Sequence, residues 1–184
     1  VYGFLCHFAL DTLSHDYVAE KEAASGLSHA RIESELERAL MLRDGLDPAS
    51  HRPTGHLVPS EENAAVIADF FPEVTKEQVL DSLRGMVFYL DLLVAPSALK
   101  RWVIFTALRL AGQFEKLGGL VVGPDPEPRC EDSNAELLRR FDQAAELAAR
   151  LIGDFDRVVE SGQAEDPIYG RTFDPKPEQE AANA

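Results

Sequence analysis

His7, Asp11 and His15 follow one another at steps of four residues, and His29 and Glu33 repeat that step after a gap of thirteen residues. An α-helix turns once in about 3.6 residues, so side chains four apart lie nearly above one another on one face. With both segments helical, three groups able to bind a metal form one stripe and two form a second. Imidazole nitrogen and carboxylate oxygen are ordinary zinc ligands, held at about 2.0–2.2 Å and usually four to an ion. A complete site must therefore draw on more than one segment, and a pair at i and i+4 on one helix is a natural half of it. Ser25, Gly26 and Ser28 supply a short connection through which the second segment can turn back toward the first. The remaining histidines, His51 and His56, lie further on, and none occurs after them.

The pattern H-x-x-x-D followed by H-x13-H-x-x-x-E resembles the zinc-dependent phospholipase C family of bacteria. The likeness is carried by about residues 3–45. It implies an all-helical fold, one to three zinc ions and hydrolysis of a phosphodiester, with a phospholipid as the family's substrate. By motif position, His15, His29 and Glu33 resemble the full protein ligand set of one zinc. His7 and Asp11 resemble part of a neighbouring two-metal site, with Asp11 in the place of a bridging carboxylate. The family's secreted members have a longer gap between the aspartate and the next histidine than the three residues that separate Asp11 from His15. The family also takes ligands, and an aspartate general base, from sequence upstream of this motif. Val1 is followed at once by an apolar, helix-patterned run with no initiator Met, so the sequence is expected to begin inside a longer protein.

The elements that must position these residues can be read in outline. A first helix is expected to about Ala24 and a second, capped by Ser28, to about Arg43. Ile32, Leu36, Ala39 and Leu40 supply the apolar face of the second, with Glu33 at its edge and Glu35, Glu37 and Arg38 turned to solvent. Residues 44–60 hold three prolines and two glycines and read as a loop. His51 and His56 on that loop are candidate substrate-phosphate contacts. Ser60 caps a short helix that ends before Pro72. Thr75 and Gln78 form a capping-box pattern ahead of a helix to about Val94. Pro96 opens another that runs to about Gly118, and Ser133 and Glu136 open a long one to about Glu160. Met86 and Trp102 are expected in the core, and Lys100, Arg101 and Arg109 on the surface. Leu137, Phe141, Ala144, Ala145, Ala148 and Leu151 mark the buried face of the long helix. Residues 161–184 form an acidic, Pro-rich tail expected to drape over the domain or fray.

Composition bounds the partners. The formal net charge of −14 argues against nucleic acid, which demands a basic surface, and against permanent residence on anionic lipid. No run is long and apolar enough for stable membrane insertion, and the lack of a recognisable secretory signal says little about a longer parent, so the expectation is a soluble protein, cytoplasmic or secreted, with the oligomeric state open. Two widely separated cysteines, Cys6 and Cys130, imply no disulfide framework.

These readings combine into an all-α, single-domain bundle over residues 1–160. The expected function is that of a metal-dependent phosphoesterase acting on a phosphodiester, resembling zinc-dependent phospholipase C. Two alternatives stay open. One is a non-catalytic helical module whose zinc only stabilises the fold. The other is a helical metal-dependent phosphohydrolase of the type named for an H-D pair, here His15-Asp16.

Overall fold

The computed structural model describes residues 1–163 and 166–171. The fold is all-α, and no strand occurs among the described residues. The α-helices are α1 (Tyr2–Ser25), α2 (His29–Arg43), α3 (Glu61–Ala68), α4 (Lys76–Leu93), α5 (Ala98–Leu110), α6 (Phe114–Leu117) and α7 (Glu131–Ser161). The chain gathers into two compact units, one of residues 1–40 with 126–184 and one of residues 41–125. Among the described residues no single helix is long and apolar enough to cross a membrane.

The first unit is built on α1 and α7. Tyr2 packs edge-on against Phe155 near one end, while Lys21 pairs with Asp132 at 2.6 Å near the other. The two helices therefore run antiparallel. Leu5, Phe8 and Ala9 of α1 are buried with Ala144, Ala148 and Leu151 of α7, the small alanines leaving room for a close approach. A second cluster joins Val18, Leu27 and Ile32 to Cys130 and Leu137. It seats the α1–α2 connection on the start of α7. Ile168 and Tyr169, within a 3₁₀ turn over Pro167–Gly170, pack on the first cluster. This part of the expected tail is draped, and the tail beyond residue 171 lies outside the described residues.

The second unit pairs α3 with α4 through Ala64, Val79 and Leu80. Both helix starts are as the sequence predicts. The Ser60 hydroxyl accepts from the Asn63 amide, and Thr75 and Gln78 complete a reciprocal capping box. Within the loop expected over 44–60, a 3₁₀ turn forms over Pro53–His56 and is tied to α4 by Arg52 and Thr54, both bonded to Asp91.

Several expectations are corrected. The helix predicted from Pro96 to about Gly118 is broken after Leu110, where Gly112 takes φ 65° and the chain restarts as the short α6. A left-handed residue cannot continue a right-handed helix, and glycine takes that conformation without a Cβ clash. The long helix begins at Glu131, two residues before Ser133, whose hydroxyl donates to the Cys130 carbonyl instead of capping. Ala145 is exposed although its neighbour Ala144 is buried. Met86 and Trp102, expected in the core, are 50% and 63% exposed. Their helices carry apolar side chains on more than one face, so periodicity alone does not choose the face that packs. Glu35 and Arg38, expected in solvent, are buried at 1% and 7% exposure. Glu35 stands one turn beyond the fully buried Ile32, which puts it on the packed stripe.

Candidate metal centre

The site lies in the first unit, and its construction begins with the turn between α1 and α2. Gly26 closes α1 in the left-handed conformation, its amide donating to the Glu22 carbonyl. Ser25 and Leu27 shape the connection, the Leu27 amide donating to the Ser25 hydroxyl while the Leu27 side chain is buried. The Glu22 carboxylate then accepts from the His29 amide at 3.1 Å, satisfying one of the free N–H groups at the start of α2. The Ser28 carbonyl accepts the first α2 amides, from Arg31 and Ile32. Glu22 is thus a side-chain acceptor that the sequence reading does not single out.

His15 on α1 meets His29 on α2 with ring centroids 5.5 Å apart and the ring planes at 89°. His29 Nε2 lies 2.9 Å from Glu33 Oε1, as the step of four on one helix dictates. His15, His29 and Glu33 each offer one ligand atom, and these atoms all lie within 4.8 Å of one another. The group can hold a metal ion. His15 and His29 are partly buried and Glu33 is exposed, so one side of the group faces solvent. Adjacent to it, a single oxygen of Asp11 lies 3.1 Å from His7 Nε2 and 3.6 Å from His15 Nε2. The Asp11 side chain keeps 14% of its exposure, that of His15 26% and that of His7 66%. The stripe on α1 is therefore continuous, with one carboxylate oxygen reaching the imidazoles on both sides.

The chemistry of the set suits a divalent cation. Two imidazoles and a carboxylate converge in one place, and a second carboxylate stands beside them to offset further positive charge. Imidazole with carboxylate is a donor set that first-row transition metals accept. The three-residue group leaves room for a non-protein ligand on its exposed side. Asp16, the second member of the H-D pair, is exposed and lies outside this group. His51 and His56 stand on the loop and 3₁₀ turn of the second unit, His51 partly buried and His56 exposed.

Further along α2, buried charges of the same helix are paired. Glu35 accepts from Arg38 Nε at 2.9 Å and pairs with Arg31 at 3.2 Å. Both guanidiniums therefore converge on one buried carboxylate. The triad faces the start of α7: the Glu35 charge helps raise the Cys130 thiol, after the larger effect of burial, and the Arg31 charge acts on Glu127. The signal for it was present in the i, i+3 and i, i+4 spacing of opposite charges. The same spacing occurs on solvated helices, so it did not reveal the burial.

Comparison with protein-family models, with curated proteins and with solved structures finds no match to this chain.

Proposed function

We propose that the first unit carries a zinc centre and that the chain is the metal-binding part of a phosphodiester hydrolase resembling zinc-dependent phospholipase C. The observation that carries the proposal is the convergence of His15, His29 and Glu33, from two helices, within 4.8 Å. Ligands on a tetrahedral ion at about 2.0–2.1 Å sit roughly 3.3 Å apart. The His29–Glu33 pair at 2.9 Å would open by a few tenths of an ångström, and the wider pairs, within 4.8 Å, would close by up to about 1.5 Å through side-chain rotation. Zinc, when bound, supplies Lewis acidity to a phosphoryl oxygen and makes water nucleophilic near neutral pH.

The residues divide the work. His15, His29 and Glu33 hold the ion and keep one coordination position open, the arrangement that distinguishes a catalytic zinc from a structural one. Asp11, 3.1 Å from His7 and 3.6 Å from His15, offers the carboxylate for a neighbouring metal. The Glu22 carboxylate fixes the first turn of α2 and so the position of His29. The substrate class is a phosphodiester, and a phospholipid is the version the resemblance implies.

The test has two arms. Zinc content is measured on this chain, where one equivalent lost in both His29→Ala and Glu33→Ala is expected. Turnover of a chromogenic phosphocholine ester is measured on the complete gene product, because the resembled family takes further ligands from sequence preceding this motif. Chelator-sensitive turnover that falls at least about a hundredfold in Glu33→Ala is expected, in line with loss of a metal-held catalytic group. Stoichiometric zinc with no turnover of any phosphodiester would replace the hydrolase with the structural-zinc module.

A further inference from the structure

The second unit carries a helix with an exposed apolar face. None of the residues of α5 is fully buried, yet its outward side chains are apolar: Leu99 is 71% exposed, Trp102 63%, Val103 51% and Leu110 86%. At 100° per residue these four fall within about a third of the helix circumference, so they form one face. Lys100 and Arg101 of the same helix are partly buried, whereas Arg109 is exposed at the edge of the apolar face. Lys100 Nζ donates to the Val94 carbonyl at 2.5 Å, and Arg101 donates to the Ala95 and Pro96 carbonyls at 2.8 and 3.2 Å. These contacts use the positive charge to satisfy carbonyls at the end of α4 and in the α4–α5 connection. Arg109 lies over the Phe114 ring at 4.1 Å. No aspartate or glutamate occurs from Leu92 to Phe114, in a chain that has 32 of them.

We propose that this face of α5 adsorbs reversibly to the surface of a zwitterionic phospholipid membrane, lying in the interface plane with Leu99, Trp102, Val103 and Leu110 among the acyl chains. The charge pattern identifies the occupant. The outward face carries no carboxylate, Lys100 and Arg101 are engaged with carbonyls, and Arg109 at its edge is engaged with the Phe105 and Phe114 rings, so the face matches an uncharged hydrocarbon boundary better than an anionic one. Helices that lie in the interface present a Trp- and Leu-bearing face of this kind. Spanning does not fit. α4 and α5 together are apolar enough to be considered, but they are bent by 119° at their break. The 13 residues of α5, at about 1.5 Å each, reach roughly 20 Å against a hydrocarbon core of about 30 Å. The inference rests on the second unit alone and is independent of the metal centre.

Trp102 is the sole tryptophan, so the helix carries its own probe. The 184-residue chain is titrated with vesicles of phosphatidylcholine, with vesicles that also contain phosphatidylserine, and with vesicles of brominated phosphatidylcholine. A blue shift of Trp102 emission is expected on pure phosphatidylcholine, together with quenching by the brominated chains. Phosphatidylserine should not strengthen binding and, with a net charge of −14 on the chain, should weaken it at low salt, whereas binding to pure phosphatidylcholine should change less than about twofold with salt. The double substitution Leu99→Ser with Leu110→Ser should lower the partition coefficient at least tenfold, while Val159→Ser, an equally exposed valine of the other unit, should leave it unchanged. Circular dichroism checks that each variant is folded. An emission spectrum that lipid does not move overturns the proposal. So does binding that requires phosphatidylserine and is lost in salt. A blue shift without lipid that grows with protein concentration, with a dimer in sedimentation, assigns the face to a second copy instead.

Discussion

Glu33 and Glu35 stand two residues apart on α2 and should respond oppositely to removal. Glu35→Ala leaves the Arg38 guanidinium, with 8% of its side chain exposed, without its carboxylate. Removing one partner of a buried ion pair costs about 3–5 kcal/mol, mostly because the other charge stays buried and unpaired. Arg31 keeps a quarter of its side chain in solvent and can be rehydrated, which puts the expected loss near about 3 kcal/mol. For a domain of roughly 100 residues each kcal/mol moves the Tm by about 4–8 °C, so the metal-free variant should melt at least about 12 °C lower. Glu35→Gln keeps an acceptor for Arg38 and should fall between the two. Glu33 is half exposed, and its replacement by alanine should change metal-free stability by less than about 0.5 kcal/mol. Zinc reverses the ranking. At a hundred times its Kd a ligand of the native state adds about 2.7 kcal/mol, roughly 10 °C or more here. That gain should appear in the wild type and be missing in Glu33→Ala. Thermal melts followed by circular dichroism, with chelator and with zinc, are paired with metal analysis of the same samples. The reasoning is refuted if Glu35→Ala melts with the wild type in chelator. It is equally refuted if Glu33→Ala keeps a full equivalent of zinc.

Three further outcomes follow from the same structure. Cys6 is exposed, whereas Cys130 is buried and its burial pushes the thiol up from its ordinary range; a thiol reagent at neutral pH should label one cysteine in the native chain and two after denaturation. Lys21 holds the Asp132 carboxyl below its usual range, and Arg139 with Arg140 holds Glu136 down to about 2. Because these pKa values are depressed by folding, their contribution is present above the unfolded carboxyl values near about 4 and is lost as pH falls toward about 2. The Tm should therefore drop across that window, and less steeply in Lys21→Met. His51→Ala and His56→Ala should each leave the zinc content of the protein unchanged, whatever they do to substrate affinity, and loss of a whole equivalent in either would move the metal site.

Much of the local architecture was legible because it depends on neighbours in sequence. The step of four from His7 to His15 and from His29 to Glu33 fixes which groups share a helix face before any tertiary contact exists. The Thr75–Gln78 capping box, the Ser60 cap and the left-handed Gly26 are likewise decided within a few residues. That His15 reaches His29 was expected only on the condition that the turn brings α2 back. The structure meets the condition through the buried Leu27 and the Glu22 carboxylate at the His29 amide, a contact seven residues long that no periodicity reveals. The faces of α2 and α5 were decided by tertiary structure alone. On α2, opposite charges at helical spacing read as solvated, yet Glu35 and Arg38 are buried, on the packed side with Ile32, and paired with each other. On α5, apolar residues on both sides allow two packings, and the structure leaves the Leu99, Trp102, Val103 and Leu110 side out. Sequence determines what a helix can bury, and only the surrounding elements determine what it does bury.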